Sequence, residues 1–277
     1  MHLCFVWATG KPTLTLVQAC IAQDGERVIL IGDRLVTRNI GTDVPSYEYE
    51  SHNRKVLLKG MVGIGFAGDV VLIDQFVTEL SGKRDYNSIV ESVAESIKKE
   101  DEKATERYVR SRTGLSAKQF FERTDAKIPP DYLVDEVYEG IEERVDIGAL
   151  IAGYDRNGKA KLTVVDADGD VLNFTNLGNV SIGSGSTLSG IYFDQNRYDP
   201  RMNENEALLF AFEAKKWAEA HTGVGHSTDI IIIKKRGKSR EILEESPLME
   251  KMNRVYEEER RKQKEVRKRL IRKMFRE

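Results

Sequence analysis

The 277-residue chain predicts an α+β fold in which antiparallel sheets are sandwiched between helical layers. Three observations carry this expectation. Strand-like segments come in neighbouring pairs joined by Asp-Gly, Gly-centred or Asn-Gly turns, whereas helical segments come in consecutive runs. One late segment, "TDIIIIKK" at 228–235, is apolar through its middle, as a strand buried on both faces must be. Runs of strands alternating with runs of helices argue against a doubly wound parallel sheet and for sheets covered on both faces.

In chain order, the first hairpin comprises strands at about 13–22 and 27–32 bent around Asp24-Gly25. An Asp-Gly pair supplies the positive φ angles that a tight hairpin requires. With that pair at the centre, facing residues have indices that sum to about 49, and Val28 faces Ile21. A second pair, "RKVLLKGMVGIGFAG" at 54–68, repeats the pattern around a glycine turn. Asp69 is then placed to cap a helix whose apolar residues Val70, Ile73, Phe76, Val77 and Leu80 recur at helical spacing. From Tyr86 to about Gly140 the pattern is charged and helical, broken by Gly114 and Pro129-Pro130 into two or three helices.

"DIGALIAGYDRNGKAKLTVVDADGDVLNF" reads as three strands separated by Asn-Gly and Asp-Gly turns. A glycine-serine stretch, "SIGSGSTLSG", leads into "IYFDQN", and "NENEALLFAFEAKKWAEAH" is an amphipathic helix with an acidic start. Residues 249–277 carry twelve Lys/Arg against six Glu, with a broken apolar stripe of Met252, Val255, Val266, Leu270, Ile271 and Met274. Glu and Lys/Arg neighbours three or four apart support a helix there, either solvated or docking. Contact with an acidic partner or nucleic acid is the other reading of that helix.

A mass of 31.4 kDa with 40% hydrophobic residues allows one substantial core with appendages. The formal charge of −2 excludes a generic polyanion or nucleic-acid binder, so any electrostatic partner is met locally. Cys4 and Cys20 lie in apolar runs without CxxC spacing and read as buried thiols of a reducing compartment. The opening "MHLCFVWATG" lacks a basic n-region and a sufficient h-region for a signal peptide, and no apolar run is long enough to span a bilayer. A soluble cytoplasmic protein is expected. No His/Cys/Asp cluster has ligand spacing, so neither a metal nor an organic cofactor is implied.

Four pieces in order, "TLVQACIAQDGERVILIGDRLVT", "NRKVLL", "GIGFAGD" and "SIGSGS", resemble the proteasome β-type peptidases and the related bacterial ATP-dependent threonine protease, members of the N-terminal-nucleophile hydrolases. The resemblance spans about 13–98 and 145–235. It implies a four-layer αββα sandwich of two antiparallel sheets over 13–240, with 1–12 a leader or possible propeptide, a helical insertion at about 99–140 and a charged C-terminal helix at 241–277.

The resemblance also implies a chemistry. A threonine that becomes the first residue offers a hydroxyl nucleophile and its own α-amino group as base. Lys55 in "RKVLL" matches the catalytic lysine, Asp33 in "IGDR" the acid that holds it, Gly65 in "GIGFAGD" the oxyanion glycine and Ser184 in "GSGS" the hydroxyl that meets the nucleophile's amino group. Read singly, these residues also fit an edge-strand lysine, a strand-end cap, a packing glycine and a helix N-cap. The hairpin register puts Thr15 in the nucleophile's place, with Thr13 on the same face as the fallback.

Three departures bear on activity. Thr15 follows Leu14 and Thr13 follows Pro12, where self-processing members have a Gly–Thr bond, and the family's supporting Asp and Ser fall on His221 and Val224. Two readings therefore stand: a threonine hydrolase cleaving peptide or other amide bonds, or a catalytically inactive structural or binding subunit that keeps its leader. The resemblance further implies a homo-oligomer of ring-like form, a peptide or protein substrate and an ATPase or acidic partner, and it gives no place for a membrane. Nucleic acid as the target of the basic C-terminal helix is the least favoured reading.

Overall fold

The structure is a computed structural model that describes residues 15–38, 47–51, 54–68, 70–122, 131–142 and 147–275. The leader, Cys4, Thr13, the Asp69 cap and Pro129-Pro130 lie outside the described residues.

The first hairpin consists of β1 (Val17–Ala22) and β2 (Arg27–Asp33). Its register is the one that an Asp24-Gly25 centre demands: Ile21 pairs with Val28 and Val17 with Gly32. The link is longer than a two-residue turn. Pairing stops at Ala22 and Arg27, and Gln23, Asp24 and Gly25 all take positive φ of 50°, 52° and 90°. The first strand also starts later than expected. Thr15 precedes the ladder because its carbonyl accepts from Gly185 N at 3.3 Å and its N–H donates to Ser184 Oγ at 3.2 Å.

The second pair is β5 (Val56–Lys59) and β6 (Val62–Gly68), turning at Gly60 with φ +67°. Between the hairpins lie two short strands that the sequence pattern did not signal, β3 (Leu35–Arg38) and β4 (Tyr47–Glu50), which pair with each other. Helix α1 (Val70–Glu79) and α2 (Tyr86–Thr113) follow. Asp85 caps α2 by accepting from Ser88 N, and Gly114 ends it in the left-handed region at φ +73°. Helix α2 runs unbroken through position 99, and with α3 (Ala117–Glu122) and α4 (Asp131–Glu142) makes three helices in the expected helical region.

Strands β7 (Ile147–Tyr154), β8 (Ala160–Val165) and β9 (Val171–Asn173) form the expected antiparallel triple. One more strand than expected, β10 (Asn179–Ile182), runs into the Gly-Ser stretch before α5 (Ser186–Gln195) and α6 (Glu204–Ala218). Then come β11 (Thr228–Lys234), β12 (Arg240–Ile242) and α7 (Pro247–Met274).

The strands assemble into two five-stranded antiparallel sheets, ordered β10-β1-β2-β11-β12 and β5-β6-β7-β8-β9. Period-two alternation along β1 assigns its faces. Val17, Ala19 and Ile21 join Leu150, Ala152, Leu162 and Val164 between the sheets. Cys20 and Ala22 point the other way, against Phe193, Ala211 and Phe212 of α5 and α6. On the far side Ile64, Phe66 and Ile151 pack under Phe76, Ile89 and Val93 of α1 and α2. This is the four-layer αββα sandwich. Each wholly buried Ile, Leu or Phe in these layers contributes about 1.5–3 kcal/mol. Cys20 is buried and free, and burial pushes its thiol up to about 12.

Only the first turns of α7 dock, through Met249 and Met252, while Val266, Leu270, Ile271 and Met274 are exposed. Among the described residues no helix is long and apolar enough to cross a membrane.

Candidate active site

At one end of the sandwich, where β1 begins and β2 ends, three polar side chains meet in the interior. Thr15 Oγ1 donates to Asp33 Oδ1 at 2.7 Å, and Lys55 Nζ donates to both Thr15 Oγ1 and Asp33 Oδ1, the latter at 2.8 Å. The Lys55 and Asp33 side chains are 5% and 0% exposed. A buried pair at this spacing persists only when its remaining donors and acceptors are met. On the acid's side they are: the second Asp33 oxygen, Oδ2, accepts from Gly225 N at 2.8 Å.

The backbone explains why the three groups converge. Asp33 is the last residue of β2, and its N–H reaches Leu16 O at 3.1 Å, which fixes the carboxylate beside the start of β1. Lys55 precedes β5, in the other sheet, and its carbonyl accepts from Phe66 N at 3.0 Å. To bring Lys55 to Asp33 the two sheets must close tightly, and two glycines permit it. A Cβ at Gly32 would meet Val56 Cγ1 at 2.6 Å, and one at Gly65 would meet Val17 Cγ1 at 2.3 Å. Valine methyls therefore occupy the space that side chains at 32 and 65 would need.

The "GSG" turn has a similar reason. Gly183 has φ +90°, and a Cβ there would lie 2.4 Å from Thr15 O; a Cβ at Gly185 would lie 2.4 Å from Val224 Cγ2. Between these glycines Ser184 Oγ accepts from Thr15 N and lies 3.2 Å from Thr15 O and 3.4 Å from Gly223 O. A hydroxyl has a single proton, so it can donate fully to only one of these carbonyls. Ser184 is not the helix cap, which falls on Gly185.

Of the five residues singled out in the sequence, Thr15, Asp33, Lys55 and Ser184 thus form one hydrogen-bonded group. Gly65 lies in β6 opposite Val56, and its close neighbours are Val17 and Val56, which gives it a packing reason. His221 Nδ1 accepts from Gly223 N at 3.1 Å, a bond within its own loop. Val224 is buried against Leu16 and Ala218. Among the described residues no group of His, Cys, Asp and Glu could hold a metal ion.

Sequence reasoning missed the layer behind Asp33. Lys215 of α6 is wholly buried and donates to Gly225 O and His226 O, both at 2.8 Å, and to Glu219 Oε1 at 2.5 Å. Burial pulls its ammonium below the usual lysine range. Burial also works to raise Glu219, but Lys215 and His226 more than reverse this and hold it below the usual carboxylate range. A signal was present: Lys215 falls on the face set by Ala207, Leu208, Ala211, Phe212 and Ala218, which is the buried side of α6. Arg34, next to Asp33, is also buried, gripping Asp229 with two nitrogens at 2.6 and 2.8 Å and Glu245 at 2.6 Å.

The family model described as "Proteasome subunit" matches residues 104–229, a span that holds Ser184 and the 221–225 loop but not Thr15, Asp33 or Lys55. No curated protein matches the chain in sequence. Among solved structures, "Anbu (ancestral beta-subunit)" from Yersinia bercovieri is similar with a TM-score of 0.58 and 12% identity, covering 88% of this chain and 94% of that one. The "Anbu (Gly-1) mutant" from Hyphomicrobium sp. strain MC1 is similar with a TM-score of 0.55 and 13% identity, covering 90% of this chain and 95% of that one. At such identity the likeness is one of fold, and its near-complete coverage of both chains matches the αββα layering. With the family match over 104–229, it supports a proteasome-like fold for this chain.

Proposed function

We propose that the protein is a threonine hydrolase that cleaves peptide or other amide bonds, with Thr15 as its nucleophile once residues 1–14 have been removed. The observation that carries this reading is the contact of one buried hydroxyl, Thr15 Oγ1, with both the Lys55 ammonium and the Asp33 carboxylate. An adjacent ammonium favours the deprotonated hydroxyl, and the carboxylate holds that ammonium in place.

In the uncut chain Thr15 N is an amide donor to Ser184 Oγ and has no basicity to offer. Cleavage before Thr15 converts it to an α-amine with an ordinary pKa of about 7.7–8.0, suited to act as a base near neutrality. The hydroxyl oxygen then attacks the substrate carbonyl while its proton passes to that amine. Collapse of the tetrahedral intermediate breaks the C–N bond, leaves the acyl group as an ester on Thr15 Oγ1 and delivers the proton to the departing amine. Water hydrolyses the ester and restores the hydroxyl. Gly65 is given no part in the chemistry, because it pairs with Val56 on one side and Leu150 on the other, inside the β6 ladders. Assembly into a ring-like homo-oligomer belongs to the same proposal, supported by the likeness to a protein named as a β-subunit.

Two observations favour the other reading, a non-catalytic subunit with its leader in place. Thr15 is only 2% exposed, and Val224 presents methyls where the resemblance expects a serine hydroxyl. The mass of the purified full-length chain separates the two. Loss of residues 1–14 in the wild type, abolished in Thr15→Ala, supports catalysis. An intact mass in both favours the subunit.

A further inference from the structure

Gly225 is used from both sides. Its N–H donates to Asp33 Oδ2 at 2.8 Å, and its carbonyl accepts from Lys215 Nζ at 2.8 Å. The next carbonyl, His226 O, takes a second Lys215 hydrogen at 2.8 Å, and Glu219 Oε1 takes the third. All three ammonium donors are therefore spent, two of them on the turn that reaches Asp33.

The turn is held on its other flank as well. Glu50 Oε1 accepts from His226 N at 2.7 Å and Ser227 N at 3.3 Å, while His226 Nδ1 lies 2.9 Å from the second Glu219 oxygen. Space at the turn is closed: a Cβ at Gly225 would meet Glu50 Oε1 and Leu35 Cβ at 2.8 Å and Leu35 N at 2.9 Å. A neutral aliphatic side chain at 215 would fill the same volume but leave the buried Gly225 carbonyl unpaired, His226 O with only Thr228 Oγ1 at 3.3 Å, and Glu219 with Lys216 as its remaining lysine. Burial of Lys215 thus has an outcome that packing alone does not explain.

We infer that Lys215 is a positioning residue that acts as an internal cation, fixing the 225–226 turn so that the Gly225 N–H holds Asp33 in the orientation that serves Lys55 and Thr15. Its effect on chemistry rests on the reading of Thr15 as nucleophile; its effect on the turn does not. The ammonium is too deeply buried to meet substrate, and the chain of contacts runs Lys215, Gly225, Asp33, Thr15. Releasing Asp33 Oδ2 would let the carboxylate turn away from the hydroxyl, and a misplacement of about 1 Å is enough to cost on the order of 100-fold in rate.

The test uses the full chain with Lys215→Met and, as the charge-retaining control, Lys215→Arg; Glu219→Gln serves if the methionine variant does not fold. Hydrogen exchange read by mass spectrometry over 223–228 reports the turn, with β1 and β2 as internal reference. The expected result is faster exchange in that segment, by about tenfold or more, with the reference strands unchanged and partial recovery in the arginine variant. Unchanged protection at 223–228 in Lys215→Met overturns the inference whether or not the protein is an enzyme.

The second arm follows the rate at which Thr15 is acylated by a β-lactone, in wild type, Lys215→Met, Asp33→Asn and the double variant. A drop of about tenfold or more in Lys215→Met that disappears in the Asp33→Asn background supports action through Asp33. Equal drops in both backgrounds contradict it. A wild type that does not react sinks the proposed function instead, and leaves the exchange arm to decide the role of Lys215.

Discussion

Two lysine–carboxylate pairs in this molecule have nearly the same length and differ in everything else. Lys55 and Asp33 meet at 2.8 Å with side chains 5% and 0% exposed, whereas Lys262 and Glu258 meet at 2.7 Å on α7 with side chains 65% and 52% exposed. The first pair has lost its water, so its charges interact at low effective dielectric and each needs every other hydrogen bond it can find. The second pair keeps its water, is screened by salt and holds two long side chains at an entropic cost. Distance alone does not rank an ion pair; the hydration given up to form it does.

The largest break of this comparison comes from removing one buried partner. Lys55→Met leaves the Asp33 carboxylate facing Thr15 and Gly225 without a cation, and is expected to lower stability by about 3–5 kcal/mol in chemical denaturation. Next is Gly183→Ala. A methyl at φ +90° and 2.4 Å from Thr15 O must push the loop off Thr15, at a cost of roughly 1–3 kcal/mol. It is also expected to weaken the Ser184 contact, which faster amide exchange at 184–186 would report.

A smaller effect comes from acid. Burial works to raise both Glu204 and Glu219, yet Arg27, Lys234 and Arg240 around the first, and Lys215, His226 and Lys216 around the second, hold both below the usual carboxylate range. Their contribution is therefore complete above the unfolded value near 4.5 and is lost as pH falls below it toward the folded value. Melting temperature is expected to fall on that acid limb, and less steeply in a Glu219→Gln variant. Last, Lys262→Ala is expected to leave the melting temperature unchanged within error, since both it and its partner Glu258 are exposed. A large loss there would mean that α7 is covered by another surface in solution.

The parts of the fold that could be read from sequence were those with local chemistry of their own. Asp24-Gly25 set the register of β1 on β2, and Thr15, which that register singled out, bonds to Asp33. Gly114 similarly marks the end of α2. Strands β3, β4, β10 and β12 escaped because three or four residues show too little alternation to stand out from loop. The site was legible as separate residue types by resemblance, but its burial was not. That depends on Gly32 and Gly65 receiving Val56 and Val17 across the sheets, a long-range fit with no local signature. Lys215 was not singled out in the sequence, though its spacing puts it on the apolar face of α6.

The central claim is that burial of Lys55 and Asp33 against Thr15 makes this hydroxyl, among all those in the chain, the reactive one. Treating the purified protein with a β-lactone and mapping the adduct by peptide mass tests this most directly. The account predicts a single acyl adduct on Thr15 as the first residue of the processed chain, absent from Lys55→Met. An adduct that forms equally in Lys55→Met, or a processed wild type that forms none, would contradict it.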